Sequence, residues 1–515
     1  MAHKTLVGGT VYNITGGKTL VGGTSYNITG GKTLVGGTGY NISFSPALQN
    51  IYAMLYSDGD MVFQLNSSVE SGKTLSNSYN FLNDVSFNMN TVPWNAKVSS
   101  VKNVRFKNNI SIKTMDAWFA KAFNLINVNY SNLNLNYINS MYLTYFNCYN
   151  LTGSPVCGAN VTNMKQTYQN CTNLTGSPVC GTNVTDMYWT YFNCYNLTGK
   201  PICGENVTNM YYTFYNCQKL TGSPVCGSKV TNMCRAYTNC INLTGQPVCG
   251  NNVTDMYGAY NNCVKLTGSP VCGNKVTNMS YTYQNCYNLT GSPACGNNIT
   301  DMSSAYRNCK NLTGSPVCGA NVTDMTSAYE DCQKLTGSFA VGSNVVNMSC
   351  AYLNCYNLTG KPICGNKVIE MSSTYDNCGK LTGSPVCGNN VVNMQRAYFN
   401  CQNLTGSPVC GANVVNMSYT YQHCGNLYGN AYFYSNNVNN VRNCFRFRNN
   451  SKRLNIYVHN GSTTMTTCLK TSASTSLTGS TTTWTNNGTC HYNTSYNLYI
   501  YPVTNVEATR ASNGD

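Results

Sequence analysis

Thiols are the groups best able to do chemistry in this chain: its 515 residues include 29 cysteines, against four histidines and 16 carboxylates. Most fall in two series with a step of 23 residues. The first runs through Cys148, Cys171 and Cys194 to Cys424 without a slip; the second runs from Cys157 to Cys318 and from Cys364 to Cys410. Such series suit disulfides, metal ligation or stacked buried thiols. One repeat discriminates. After Cys332, Phe339-Ala340-Val341 replaces Pro-Val-Cys, yet Cys332 and Cys355 persist. Obligate partners would be lost together, so two independent thiol ladders are expected, rather than the systematic disulfides that an oxidising exterior would favour. Cys234 and Cys350 stand outside both series, and Cys468 and Cys490 could pair if oxidised. Metal ligation fails on spacing: the repeats hold no C-x2-C, and His3, His423, His459 and His491 are scattered, with the adjacent Cys490-His491 the natural seed.

Catalytic constellations are equally thin. The carboxylates form no paired set of the kind that acid–base chemistry needs. Asp58 and Asp60, in the SDGD segment, read as turn residues. No phosphate-binding loop, nucleophile elbow or H-E-x-x-H occurs. The many N-x-[ST] triplets read as polar turn chemistry. No catalytic residue, cofactor or metal is therefore expected, and the chain reads as a non-enzyme.

Composition narrows the class further. Charged residues make up 9%, against about 25% in an ordinary soluble protein. The 42% apolar content can still fill a core. No run of about 18 apolar residues exists, so no membrane-inserted segment is expected. The start, MAHKTLVGG, has no basic region followed by an apolar stretch, which argues against a secretory signal and for synthesis in a cytosol. Net charge is +15, of which residues 97–121 supply +5 and residues 431–506 supply +6. A nucleic-acid stripe would run along the main body instead, so these basic flanks (Lys97 to Lys121, Arg442 to Lys470) read first as solvated charge, with attraction to an acidic polymer such as a teichoic acid or nucleic acid as the alternative.

What must position these residues is a repeat. Three 14-residue units open the chain: KTLVGGTVYNITGG from Lys4, KTLVGGTSYNITGG from Lys18 and KTLVGGTGYNISF from Lys32. They read as short strands joined by tight turns. The 23-residue repeat fills most of the rest, as in CYNLTGSPVCGANVTNMKQTYQN from Cys148. Counting that Cys as position 1, Leu recurs at position 4 (Leu151, Leu174), Met at 17 (Met164, Met187) and an aromatic at 21 (Tyr168, Tyr191), with Phe214 the exception to Tyr in the full repeats. A strict period of this length is one turn of a solenoid, with like residues stacked from coil to coil about 4.8 Å apart. Cys148, Cys171 and Cys194 join those ladders as small buried hydrophobes. Met and Tyr four residues apart suit one inward-facing turn of helix. The period predicts a repeat solenoid of about fourteen coils with β-rich beads and caps. Four regions follow: 1–45, β repeats that anchor or oligomerise; 46–124, a β-rich N-terminal domain and cap; 125–446, the solenoid; 447–515, a β-rich C-terminal cap.

The spacing C-x2-L-x4-V…V-x2-M-x3-[YF]-x2-C resembles the BspA-like, Treponema-type 23-residue leucine-rich repeats, over about residues 102–446. That resemblance implies a right-handed, leucine-rich-repeat-like coil and an adhesive, non-enzymatic protein. Position 8 departs from it: Pro155, Pro178, Pro201 and Pro224 cannot donate to a ladder, so a very short or polyproline-like strand is expected where the family has a sheet. The KTLVGGT units, with the nearby YAMLYSDGDMVFQL (52–65), are similar to structural proteins of phages infecting Gram-positive gut bacteria.

Function is then expected on the surface. Positions 18–20 vary and are rich in Tyr, Ser and Thr, with Tyr188, Trp189, Tyr211, Tyr212, Tyr257, Tyr281 and Tyr419 as candidate binding residues. The expected role is a virion fibre or adhesin that binds a host surface glycan or protein multivalently. It would pair with itself and other virion proteins, be released by lysis, and bind no specific nucleic acid. A decoration or filament-forming protein and a bacterial surface adhesin are the alternatives.

Overall fold

The computed structural model describes residues 48–446, 451–460, 485–486, 488–494 and 497–515, with five short strands before residue 47. Two compact units divide it, residues 1–171 and 172–515.

In the first unit, the first two 14-residue repeats each form an antiparallel pair: β1 (His3–Val7) with β2 (Thr10–Ile14), and β3 (Lys18–Val21) with β4 (Thr24–Ile28), to which β5 (Phe44–Pro46) adds. The third repeat lies outside the described residues. A five-stranded sheet follows, built from β6 (Asn50–Tyr56), β7 (Asp60–Gln64), β8 (Leu75–Leu82), β9 (Asn103–Phe106) and β10 (Asn127–Asn129), in the order β10-β9-β7-β6-β8. The β6–β7 turn needs Gly59, whose φ is +95°. Asp58 closes that turn by accepting the Asp60 N–H, and both acids hold Lys73, so they do structural work. Phe63 anchors the core, stacked on Trp118 at 5.0 Å and Phe106 at 5.2 Å. Part of the basic flank is neutralised here, because Arg105 and Lys107 both pair with Glu70. Strands β7, β9 and β10 are parallel and start the coils. A column of rings then continues through Phe119, Tyr145 and Tyr168 at 5.6 and 5.3 Å.

The second unit repeats one coil with little change. Leu174, Met187, Tyr191 and Cys194 are each no more than 1% exposed, as are their equivalents up the stack. The ring column runs Tyr191, Phe214, Tyr237, Tyr260, Tyr283 and on to Phe445, with centroids 5.3–5.7 Å apart. The helical turn expected from Met and Tyr is absent. Instead, backbone donors alternate between two destinations. Met187, Trp189, Tyr191 and Asn193 donate to carbonyls of the next coil at 2.8–3.0 Å, while Thr190, Phe192 and Cys194 close three-residue turns at 3.1–3.3 Å. Positive φ at positions 19 and 23, as at Trp189 (+55°) and Asn193 (+60°), forces this alternation and precludes a helix. Position 11 must be Gly for a different reason: a Cβ on Gly227 would sit 2.8 Å from the Gly204 carbonyl oxygen of the coil below.

Proline at position 8 has the anticipated effect. No strand forms over Ser177–Cys180 or its equivalents as far as residue 405. The tyrosine column replaces the lost ladder: the Tyr237 hydroxyl accepts from the Val225 N–H at 3.2 Å and donates to the Val225 carbonyl at 2.6 Å. Where position 8 is Ala431, a parallel strand returns as β11 (Gly429–Phe433). It heads a closing sheet with β12 (Leu454–His459), β13 (Thr485–Asn486), β14 (His491–Asn493) and β15 (Leu498–Val503), in the order β11-β12-β15-β14-β13. Helix α1 (Val506–Ser512) follows, capped by Asn505, which accepts the Ala508 N–H. Residues 461–484, including Cys468, lie outside the described residues, and so does the Cys468–Cys490 pairing.

Before the closing Phe445, Phe214 is the one ring of the run that lacks the bridging hydroxyl, and Ile202, which would receive it, is 38% exposed. Phe214→Tyr should therefore raise the stability of the second unit by about 1 kcal/mol, read as a shift of the urea midpoint. The ring is already stacked between Tyr191 and Tyr237 at 5.5 and 5.4 Å, so only the hydroxyl is new.

Candidate functional site

Among the described residues the cysteines of the two series are thiols, each series with its own environment. At position 1 they are fully buried, and each donates to a carbonyl of the neighbouring coil, as Cys217 does to Tyr191 O at 3.1 Å. At position 10 most are half-buried and contact the next glycine carbonyl, as Cys226 does at 3.6 Å. Burial pushes the Cys226 and Cys272 thiols up to about 12 and Cys203 up to about 11. Thiols held protonated are poor nucleophiles and poor ligands. Among the described residues no group of three His, Cys, Asp or Glu could hold a metal ion.

The turn pattern that replaces the helix also creates a face. Positions 17, 20 and 21 point inward, while positions 18, 19 and 22 of successive coils form three adjacent columns on the outside. Between Tyr188 and Tyr281 those columns are mostly aromatic. Tyr188 stacks on Tyr211 at 5.1 Å, Trp189 on Phe192 at 4.6 Å, and Phe192 on Tyr215 at 4.9 Å. Tyr212 packs at a tilt against Tyr211 and Tyr215 at 4.5 and 5.2 Å. Arg235 follows, its guanidinium 5.7 Å from the Tyr212 ring and 4.9 Å from the Tyr257 ring, and it donates to the Tyr257 hydroxyl at 3.1 Å. Tyr281 closes the run, edge-on to Tyr257 at 5.6 Å. Desolvation among these rings pushes the Tyr212 phenol up to about 12.

Six of the seven residues expected from sequence thus meet on one surface. Tyr419 stands apart, several coils on, beneath Arg442 at 5.9 Å. Phe192, Tyr215 and Arg235 complete the face and went unnoticed in sequence. Position 22 is as variable as positions 18 and 19, so the signal was present; it was hidden because a three-residue offset looks adjacent only once the turns are known.

Beyond Tyr281 the same columns turn polar. Arg307 pairs with Glu330 at 2.9 Å, and Arg396 with Asp376 at 2.7 Å. Burial raises the Asp376 pKa, although Arg396 opposes the shift. Seven side-chain polar atoms among the described residues are buried without a hydrogen-bond partner, and five of them lie in columns 19 and 22: Trp189 Nε1, Arg235 Nε, Arg307 Nε, Asp376 Oδ1 and Gln422 Oε1. Buried polar groups are ordinarily paired with protein or ordered water, and two of these atoms, Trp189 Nε1 and Arg235 Nε, belong to the aromatic face.

Comparison with known proteins gives two short family matches and several structural neighbours. Residues 208–313 match a family described as Mycoplasma protein of unknown function, DUF285, and residues 166–193 match the Kazal-type serine protease inhibitor domain. The second match covers little more than one repeat, whose Cys171 donates to the Tyr145 carbonyl at 3.1 Å as a position-1 thiol. No curated protein matches the chain. The structural neighbours are leucine-rich-repeat proteins. One from Eubacterium ventriosum is 13% identical with a TM-score of 0.29, covering 74% of this chain and 90% of its own. An internalin from Listeria monocytogenes is 15% identical with a TM-score of 0.21, covering 60% and 82%.

Proposed function

We propose that this chain is a non-enzymatic binding protein of a phage virion, a fibre or adhesin whose stacked coils hold the face from Tyr188 to Tyr281 toward the host cell surface. The observation that carries the binding role is the clustering of half-buried rings, closed by the exposed Tyr281, in the same outward columns as the unpartnered Trp189 Nε1 and Arg235 Nε. Rings that are already stacked lose little conformational freedom on binding, so the surface is pre-organised. Copies on one particle would multiply weak contacts into avidity. The virion placement rests on the KTLVGGT repeats and their likeness to phage structural proteins; its partners would be other virion proteins and further copies of this chain.

One observation favours a second reading, a decoration or filament protein that assembles through its own coils. Position 15 is Thr from Thr162 to Thr323 but becomes Val346, Ile369, Val392 and Val415 thereafter. Three of these are 37–48% exposed, and Ile369, Val392 and Val415 line one groove. A continuous apolar ridge of this kind suits contact with another protein.

Cell binding separates the readings. Fluorescently labelled chain should stain host cells, and the triple variant Tyr188→Ser, Tyr211→Ser, Tyr212→Ser should stain at least about tenfold less. Unchanged staining overturns the role of the face. Gold-labelled antibody against the coils then locates the protein on purified particles: label at the tail tip fits the adhesin, label on the head fits decoration, and unlabelled particles overturn the virion placement.

A further inference from the structure

The ligand of the aromatic face can be narrowed by its one charge. Three arginines of the full repeats lie in the outward columns 19 and 22 with their side chains part-buried, and two have acids of their own: Arg307 has Glu330 and Arg396 has Asp376. Arg235 has none. Its neighbours are the Tyr212 and Tyr257 rings and the Tyr257 hydroxyl, and its Nε is buried with no acceptor. A guanidinium carries five donors in a planar fork suited to carboxylate or phosphate, so this one is held rigid with donors to spare and no counter-ion.

The surrounding rings point the same way. Tyr188 and Tyr211 lie 5° from parallel, as do Phe192 and Tyr215 at 8°. Rings stacked along the coil axis spend their faces on each other and turn edges and hydroxyls outward. The edge of an aromatic ring is its electropositive part, and phenol hydroxyls are donors. Such a surface attracts acceptor-rich, anionic groups. It offers few free ring faces, so it is poorly suited to unstacked nucleic-acid bases, which bind by face-to-face stacking.

Resting on the binding role proposed above, we infer that the face takes an acidic glycopolymer, a hydroxyl-rich chain bearing carboxylate or phosphate, with Arg235 as the anion-binding residue and the hydroxyls of Tyr188, Tyr211 and Tyr212 meeting the neutral parts of the chain. The net charge of +15 assists the approach of such a polymer at low salt.

Titrating the full chain and following Trp189 fluorescence tests this directly. The probes are hexagalacturonate for carboxylate, a short poly(glycerol phosphate) for phosphate, maltohexaose as the uncharged chain, and an oligothymidylate. At least one acidic glycopolymer should bind about tenfold or more tightly than maltohexaose, and Arg235→Gln should abolish that preference while leaving maltohexaose unchanged. Arg235→Lys, which keeps the charge but not the fork, should restore part of it. Whichever acidic probe binds identifies the anion. Equal affinity for charged and uncharged chains, or an Arg235→Gln variant that retains the preference, overturns the assignment of Arg235. Tighter binding of the oligothymidylate than of either glycopolymer overturns the ligand class. If no probe binds while labelled chain still stains cells through the tyrosines, the acidic-glycan inference falls and the binding role stands; if staining is also insensitive to the tyrosines, both fall.

Discussion

Raising the pH from 8 to about 11 should unfold the coils in a cooperative transition, with the protein fully folded at neutrality. The cause is the burial of the thiols. Folding pushes Cys203 up to about 11 and Cys226 and Cys272 up to about 12, and Cys217, Cys263 and Cys309 are raised further by complete burial. An unfolded thiol titrates near 8.5. Between that pH and the folded values the unfolded chain has released protons that the folded chain still holds, so stability is intact below about pH 8.5 and falls as pH rises toward 11–12. Each fully shifted thiol removes about 1.4 kcal/mol per pH unit. The position-10 thiols are partly solvated and contribute less, but the position-1 thiols are 0% exposed. Even a third of that slope from about a dozen thiols, over two pH units, approaches the 5–15 kcal/mol that holds a typical domain together. Circular dichroism at stepped pH, in reductant and at constant ionic strength, gives the midpoint. Cys249→Val, Cys272→Val and Cys295→Val together copy the residue that Val341 already supplies at position 10, and should move the midpoint upward. Coils that persist unchanged above pH 11 would refute the ladder's thermodynamic role.

Tyr283→Ala should be the most damaging single substitution in the second unit. It removes two ring stacks, with Tyr260 at 5.6 Å and Tyr306 at 5.5 Å, and the hydroxyl that serves both backbone groups of Val271. The expected cost is about 3–5 kcal/mol, the range for emptying a large buried aromatic site. Tyr283→Phe keeps the stacks and deletes only the hydroxyl, for about 1–3 kcal/mol, because the Val271 N–H and carbonyl are left without it. Urea unfolding of the two variants separates stacking from hydrogen bonding. Since each coil touches only its neighbours, the alanine variant should also broaden or split the transition as the stack parts at the gap. Equal losses in the two variants would mean that the hydroxyl, and not the ring column, holds the coils together.

The period made the ladders readable in advance: Leu151, Met164, Tyr168 and Cys171 occupy interior positions because a residue 23 places away makes the same contacts one layer up. Proline at position 8 foretold the missing strand. What stayed hidden was the path between Met and Tyr. A four-residue apolar spacing fits a helix equally well, and only the positive φ of residues such as Gln166, Trp189 and Asn193 excludes it. Asn at position 23 is a recognisable left-handed residue, but Trp, Tyr and Arg at position 19 are not, and their conformation is imposed by the coils on either side. Knowing that path is what places position 22 beside positions 18 and 19, so Phe192 and Tyr215 could not be joined to the aromatic face without it, whereas Arg235 lies at position 19, among the variable positions, and was passed over for the aromatic residues there. The partner acids of Arg307 and Arg396 were hidden for the same reason, lying 23 and 20 residues away.

The register of the ladders also has a genetic consequence. Almost every bond between coils joins residues 23 apart or a small fixed offset from it, and the Asn416–Asn440 bridge at the end of the stack absorbs a single extra residue. Duplication or loss of one whole repeat therefore returns each Tyr, Met and Cys to an equivalent neighbour, whereas a shift of one or two residues in mid-stack misaligns every column. Tandem segments as alike as LTGSPVCG invite unequal recombination, and here the fold tolerates its products. Length becomes a trait that can change in whole steps within a generation, altering how far the aromatic face stands from its base while leaving its chemistry intact.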